Sequence, residues 1–111
     1  MSEPTQNNVL TTTLKALADL TELYKFAGVS GVYAKEGEIA QGVLQAETKT
    51  GQWAPVMSVG VALVKAGAGV TAGNKIQSDA NGCAITATTG AVLGIALDDG
   101  STGDLVRVLL K

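Results

Sequence analysis

Asp98, Asp99 and Asp104 gather around Gly100-Ser101-Thr102-Gly103, the nearest approach to a catalytic constellation in this 111-residue chain. Carboxylates held together with separated pKa values can act as acid and base, and several carboxylate oxygens can hold calcium. The calcium-loop pattern fails, because the alternating oxygen ligands and the closing Glu are missing. Acidic residues interleaved with Gly and Ser also form exposed turns, in which Asp side chains bond local amides, and the segment is read as such a turn. Other chemistry lacks its side chains. There is no histidine, so the commonest general base and the commonest metal ligand are both missing. A Ser-His-Asp or Cys-His site is excluded, and a zinc site needs more Cys or His than the single Cys83. Cys83 follows Asn81-Gly82 and has no evident basic partner to lower its pKa, so it reads as a small apolar residue. Gly67-Ala68-Gly69-Val70-Thr71-Ala72-Gly73 is glycine-rich but lacks the Lys-Ser/Thr ending of a phosphate loop. It reads as a turn joining two halves. Trp53, beside Pro55, is either a ligand platform or an anchor in a core or interface. Neither a catalytic residue, a cofactor site nor a metal site is expected.

The length fits one domain, able to bury about 65% of its unfolded surface without a disulfide or a metal. One cysteine can form no internal disulfide, which favours a reducing compartment. Eight basic and ten acidic residues are spread along the chain, for a net charge of −2. That argues against nucleic-acid binding, which needs clustered Lys and Arg, and against docking on an anionic membrane. No apolar run reaches the roughly 20 residues of a membrane span, and residues 1–8 lack the basic and apolar regions of a signal peptide. A soluble protein made in the cytoplasm is expected.

Fourteen glycines, frequent Val and Thr, and few aromatics point to short strands joined by tight turns. Small side chains make a thin core, so self-association is expected to add stability. Residues 1–8 are polar, contain Pro4, and read as the start of an extended arm over 1–9, one that a partner's sheet edge could order. Leu10, Leu14, Leu17, Thr21 and Tyr24 fit helical spacing, yet the same stretch reads as strands 9–17 and 22–28.

An internal repeat favours strand for 22–28. Gly42-Val43-Leu44-Gln45 matches Gly94-Ile95-Ala96-Leu97, each followed by acidic residues and then by Gly51 or Gly103. Both glycine pairs are 52 residues apart, and each copy resumes as a strand, at 52–57 and 104–109. Upstream, with a small gap, residues 20–26 face 70–76, giving repeat halves of about 20–57 and 70–109. Residues 57–65 form another apolar strand, with Gly60 marking a bulge or close backbone contact. Asn81-Gly82 between strands 75–79 and 83–88 predicts a hairpin with a type I′ turn. In 104–110, Val106, Val108 and Leu110 share the face expected to meet the core. Leu105, Arg107 and Leu109 share the other, which a neighbouring subunit would cover. The expected fold is all-β: a small compact barrel or sandwich of about eight short strands over 10–111, with an arm at 1–9.

Three segments taken in order resemble the capsid decoration (cement) proteins of tailed bacteriophages. They are Ala18-Asp19-Leu20-Thr21-Glu22-Leu23-Tyr24-Lys25-Phe26 with Gly42-Val43-Leu44; residues 60–73; and Ser78-Asp79-Ala80-Asn81-Gly82 with Leu93-Gly94-Ile95-Ala96-Leu97 and residues 103–110. The resemblance implies a head-stabilising protein on the outer surface of the expanded head, bound to the major capsid protein. It implies a homo-oligomer as well, a trimer by preference and a dimer as the variant, and termini that reach across the shell. The residues expected at a capsid or subunit interface are Glu3, Pro4, Thr5, Gln6, Asn7, Asn8 and Val9 of the arm, together with Trp53, Leu105, Arg107 and Leu109. The competing reading is a small β-barrel binding module for carbohydrate or another surface ligand. An ice-binding face on Thr86, Thr88 and Thr89 is more distant, because no regular Thr ladder exists.

Overall fold

The computed structural model describes residues 6–110. Eight strands follow one another: β1 (Asn7–Lys15), β2 (Phe26–Gly28), β3 (Ala40–Leu44), β4 (Trp53–Lys65), β5 (Lys75–Ser78), β6 (Ala84–Thr86), β7 (Gly94–Ala96) and β8 (Leu105–Leu110). They make one antiparallel, nearly closed barrel-like sheet in the order β2-β3-β4-β8-β7-β5-β6, with β1 on β4. No helix occurs among the described residues. The helical spacing of Leu10 to Tyr24 therefore yields to strand pairing, and of residues 22–28 only 26–28 form a strand. Asn7, Asn8 and Val9 lie in β1, where Asn7 faces Val61 and Asn8 faces Gly60.

The central element is β4, a single 13-residue strand over what the sequence suggests as two. Val61 is opposite both Asn7 of β1 and Leu109 of β8, so these strands lie on opposite edges of β4. By the same test at Met57, which faces Thr11 and Val43, β3 also lies opposite β1. The first half of β4 thus holds β3 and the second half holds β8. Tyr24 then draws the sheet round, because its carbonyl accepts from Lys65 N and its amide donates to Leu44 O.

Two apolar clusters fill the fold. Leu14, Ala16, Leu20, Ala27, Leu44, Ala54 and Val56 form one. The larger contains Phe26, Val43, Met57, Val64, Ile76, Val106, Val108 and Leu110, so the predicted inward face of β8 does meet the core. Ala and Val dominate, which keeps the strands close. A Cβ on Gly42 would overlap the Met57 carbonyl, and one on Gly94 would overlap the Leu109 carbonyl.

The Asn81-Gly82 hairpin forms with a different turn. Gly82 has φ +81, but Asn81 is not in the left-handed region, whereas a type I′ turn needs both. Asp79 and Cys83 flank a three-residue loop, with Asp79 N donating to Cys83 O and Gly82 N to Asp79 O. The Asp79 carboxylate accepts from the amides of Asn81 and Cys83, which holds the first residues in the right-handed turn conformation.

Replacing Gly94 by Ala is expected to destabilise the domain by about 2 kcal/mol, because the obstruction is backbone and cannot swing aside. Replacing Gly51, which has φ +88 and open space around it, should cost about 1 kcal/mol from backbone strain alone. Urea unfolding of both variants checks the order.

Candidate interaction surface

Alternation along β8 sends Leu105, Arg107 and Leu109 outward while their neighbours enter the core. Leu105 keeps 41% of its surface exposed and Leu109 37%. Cross-strand neighbours extend this face. Leu109 lies between Val61 and Ile95, Arg107 faces Leu63, and Leu105 faces Lys65.

Arg107, at the centre, is not a free cation. Its Nε and Nη2 donate to the two oxygens of Asp98 at 3.0 and 2.8 Å, and its amide donates to the same carboxylate. The hydrogen bond from the guanidinium is the main reason the Asp98 carboxyl titrates below the ordinary carboxylate range. A fork-on-fork pair of this kind fixes the orientation of the arginine between the two leucines of the same face.

The N-terminal strand abuts this face. Asn7 is the neighbour of Val61 on the side away from Leu109, so Asn7, Val61, Leu109 and Ile95 form one row across the sheet. Gln6 Oε1 accepts from Leu63 N, and Gln6 Nε2 donates to Gln45 Oε1. Val9 is 74% exposed, at the bulge where Asn8 pairs with Gly60 and Leu10 with Val59. Glu3, Pro4 and Thr5 lie outside the described residues. Trp53 is not part of this row. It begins β4, faces Lys15, and is 64% exposed.

A family model described as phage cement protein matches residues 4–111. The chain belongs to the phage cement protein family. It is therefore related to structural, capsid-associated proteins of bacteriophages. The fold is also that of the head fiber N base of bacteriophage phi29, with a TM-score of 0.72 and 20% identity over 92% of this chain and 93% of that one. No curated protein matches.

The acidic turn of this cement protein is local structure. Asp98 serves Arg107, Asp99 Oδ1 accepts from Ala72 N, and Asp104 Oδ2 accepts from Ser101 N. No group of three His, Cys, Asp or Glu close enough to share a metal occurs among the described residues. Cys83 is a buried free thiol whose pKa burial pushes up. Sequence reasoning missed one charged cluster. The buried Lys25 ammonium pairs with Glu22 at 2.7 Å and lies 5.3 Å from the centre of the Tyr33 ring. Tyr33 in turn donates its hydroxyl to Glu22 O. The Glu22 and Lys25 spacing hints at the pair; nothing in the sequence marks Lys25 as buried.

A carboxyl whose folded pKa is lowered contributes stability that is full above its unfolded value and fades as pH falls through the folded one. Wild type should therefore exceed Asp98→Asn in urea midpoint at pH 7, and the gap should close below about pH 4. Paired urea titrations at pH 7, 4 and 2.5 check this.

Proposed function

We propose that this protein binds the outer surface of the expanded phage head through the β8 face and the adjoining β1 segment, and stabilises the head there. The family carries this reading, and the exposed Leu105 and Leu109 around a tethered arginine support it. Both leucines lie on one exposed face, Leu109 in a row with Val61 and Ile95, and a contiguous apolar face marks contact sites more often than scattered residues do. Its partner is the major capsid protein, and it acts on the virion after synthesis in the host cytoplasm. Self-association, as a trimer by preference, suits so thin a core.

The stabilisation is a linkage effect. A ligand that binds the expanded lattice and not the compact precursor favours expansion by its binding free energy, however small per site. No catalytic group is required.

Co-sedimentation with compact and expanded heads tests the reading. Saturable binding to expanded heads alone is expected. A Leu105→Asp, Leu109→Asp double variant should bind at least tenfold more weakly while unfolding cooperatively in urea, since burying the exposed part of each leucine contributes about 1 kcal/mol and a buried carboxylate adds a further penalty. Binding to neither form of the head would sink the proposal and turn attention to a soluble carbohydrate ligand at exposed Trp53.

Deleting residues 1–5 tests the arm separately. Binding to heads should weaken while the urea midpoint holds, because β1 itself is left intact. Unchanged occupancy would remove the arm from the interface.

A further inference from the structure

The two halves of the sequence repeat make the same hydrogen bonds. Ala16 N donates to Gln52 O, and fifty residues on Ala66 N donates to Asp104 O. Gly51 N donates to Ala16 O, as Gly103 N does to Ala66 O. Leu20 and Thr48 exchange both backbone bonds, as do Val70 and Gly100. Gln45 N reaches Pro55 O, and Leu97 N reaches Arg107 O. Even the side chain closing each turn agrees: Lys49 N donates to the Gln52 carboxamide, and Ser101 N donates to the Asp104 carboxylate.

Strand registers follow the same rule. Thr11 to Lys15 pair with Met57 to Trp53, and Val61 to Lys65 pair with Leu109 to Leu105. Val43 and Leu44 face Met57 and Val56; Ile95 and Ala96 face Leu109 and Val108. The smaller core cluster has its counterparts too. Leu14, Ala16, Leu20, Leu44, Ala54 and Val56 correspond to Val64, Ala66, Val70, Ala96, Val106 and Val108. Gly42 and Gly94, which admit the carbonyls of Met57 and Leu109, hold equivalent positions and meet equivalent residues. Chance resemblance in a Gly- and Val-rich chain does not reproduce hydrogen bonds and register together. Strand β4 is the seam: its first half closes one unit and its second half opens the next.

The correspondence reaches the surface. Trp53 faces Lys15 across one pair of strands, and Leu105 faces Lys65 at the equivalent place in the other. Cross-strand partners point to the same face, so each unit presents an exposed apolar side chain beside a lysine. Among the described residues neither lysine joins an ion pair. Such a patch fits an apolar hollow flanked by a carboxylate.

We infer that the chain is a tandem pair of one β unit, and that its two equivalent patches bind the same surface on two copies of one shell subunit. This rests on the head-binding reading above and adds to its β8 face the Trp53–Lys15 patch at the other end of β4. A lattice of identical subunits presents one surface many times at fixed spacing, which suits a rigid protein carrying one patch twice. Two weak contacts held at fixed separation raise the affinity of the pair well above that of either alone. The patches are unequal, Trp53 being the larger anchor, so the first unit binds more tightly.

Photo-crosslinking on expanded heads tests it. Trp53→p-benzoylphenylalanine and Leu105→p-benzoylphenylalanine are made separately, both at exposed positions that leave the cores intact. Each is bound to purified expanded heads and irradiated, and the joined peptides are identified by mass spectrometry. Both positions should capture the same peptide of the shell subunit. Capture of different peptides, or capture at one position only, on heads that the protein occupies would overturn the inference and leave head binding standing. Failure of the unsubstituted protein to occupy heads would overturn both.

Discussion

Hydrogen bonding along both edges of β4 is the constraint on which the rest of this cement protein depends. Its 13 residues pair with β1 on one edge and with β3 and then β8 on the other. Neither apolar cluster exists without it: Ala54 and Val56 belong to the smaller, Met57, Ala62 and Val64 to the larger. A strand with partners on both edges needs its neighbours close, and the chain supplies closeness by removing side chains. Gly42 and Gly94 let β3 and β7 approach the carbonyls of the next strand, and Gly60, at φ +129, lets β1 lie over the middle of β4. The small residues that thin the core are the ones that make the pairing possible.

A thin core leaves apolar surface outside. Val106 and Val108 are fully buried, so strict alternation must present Leu105 and Leu109 to solvent on the opposite face. In a larger protein a second layer would cover that face. Here, among the described residues, that face carries the Arg107–Asp98 pair, which settles a charge among leucines. The same backbone economy that holds the barrel together therefore leaves a surface suited to a partner.

Much of this was legible in the residues. Alternation from 104 to 110 assigned both faces of β8 correctly, because a period of two has one consequence in a half-buried strand. Gly60 marked a close backbone approach because nothing else fits there. The hairpin at Asn81-Gly82 was legible, but its turn type was not: the Asp79 carboxylate, three residues before Gly82, decides it by capturing two amides. Residues 20–25 misled for a related reason. They hold their place through isolated contacts, Leu20 with Thr48 and Tyr24 with Leu44 and Lys65, and such contacts come from sequence-distant partners that leave no local pattern. Tyr24 even takes φ +64, which no propensity rule foresees. Of the candidate interface residues, alternation places Leu105, Arg107 and Leu109 on one face, but only the pairing of Val61 with both Asn7 and Leu109 joins them to the N-terminal strand.

The absence of histidine bears on how the molecule responds to pH. A protein in the proposed head-stabilising role must keep its contacts through whatever pH the particle meets, and histidine is the side chain that changes charge between pH 5 and 8. The charged contacts found here are carboxylates paired with arginine or lysine, Asp98 with Arg107 and Glu22 with Lys25. Their carboxyl groups titrate below the ordinary range and their cations above it, so each pair stays charged through neutrality and well to either side. Backbone ladders and apolar faces do not titrate at all. A surface assembled from these parts keeps its charge pattern across that range, which is what the proposed selectivity for one geometry of the shell, independent of the proton concentration around it, requires.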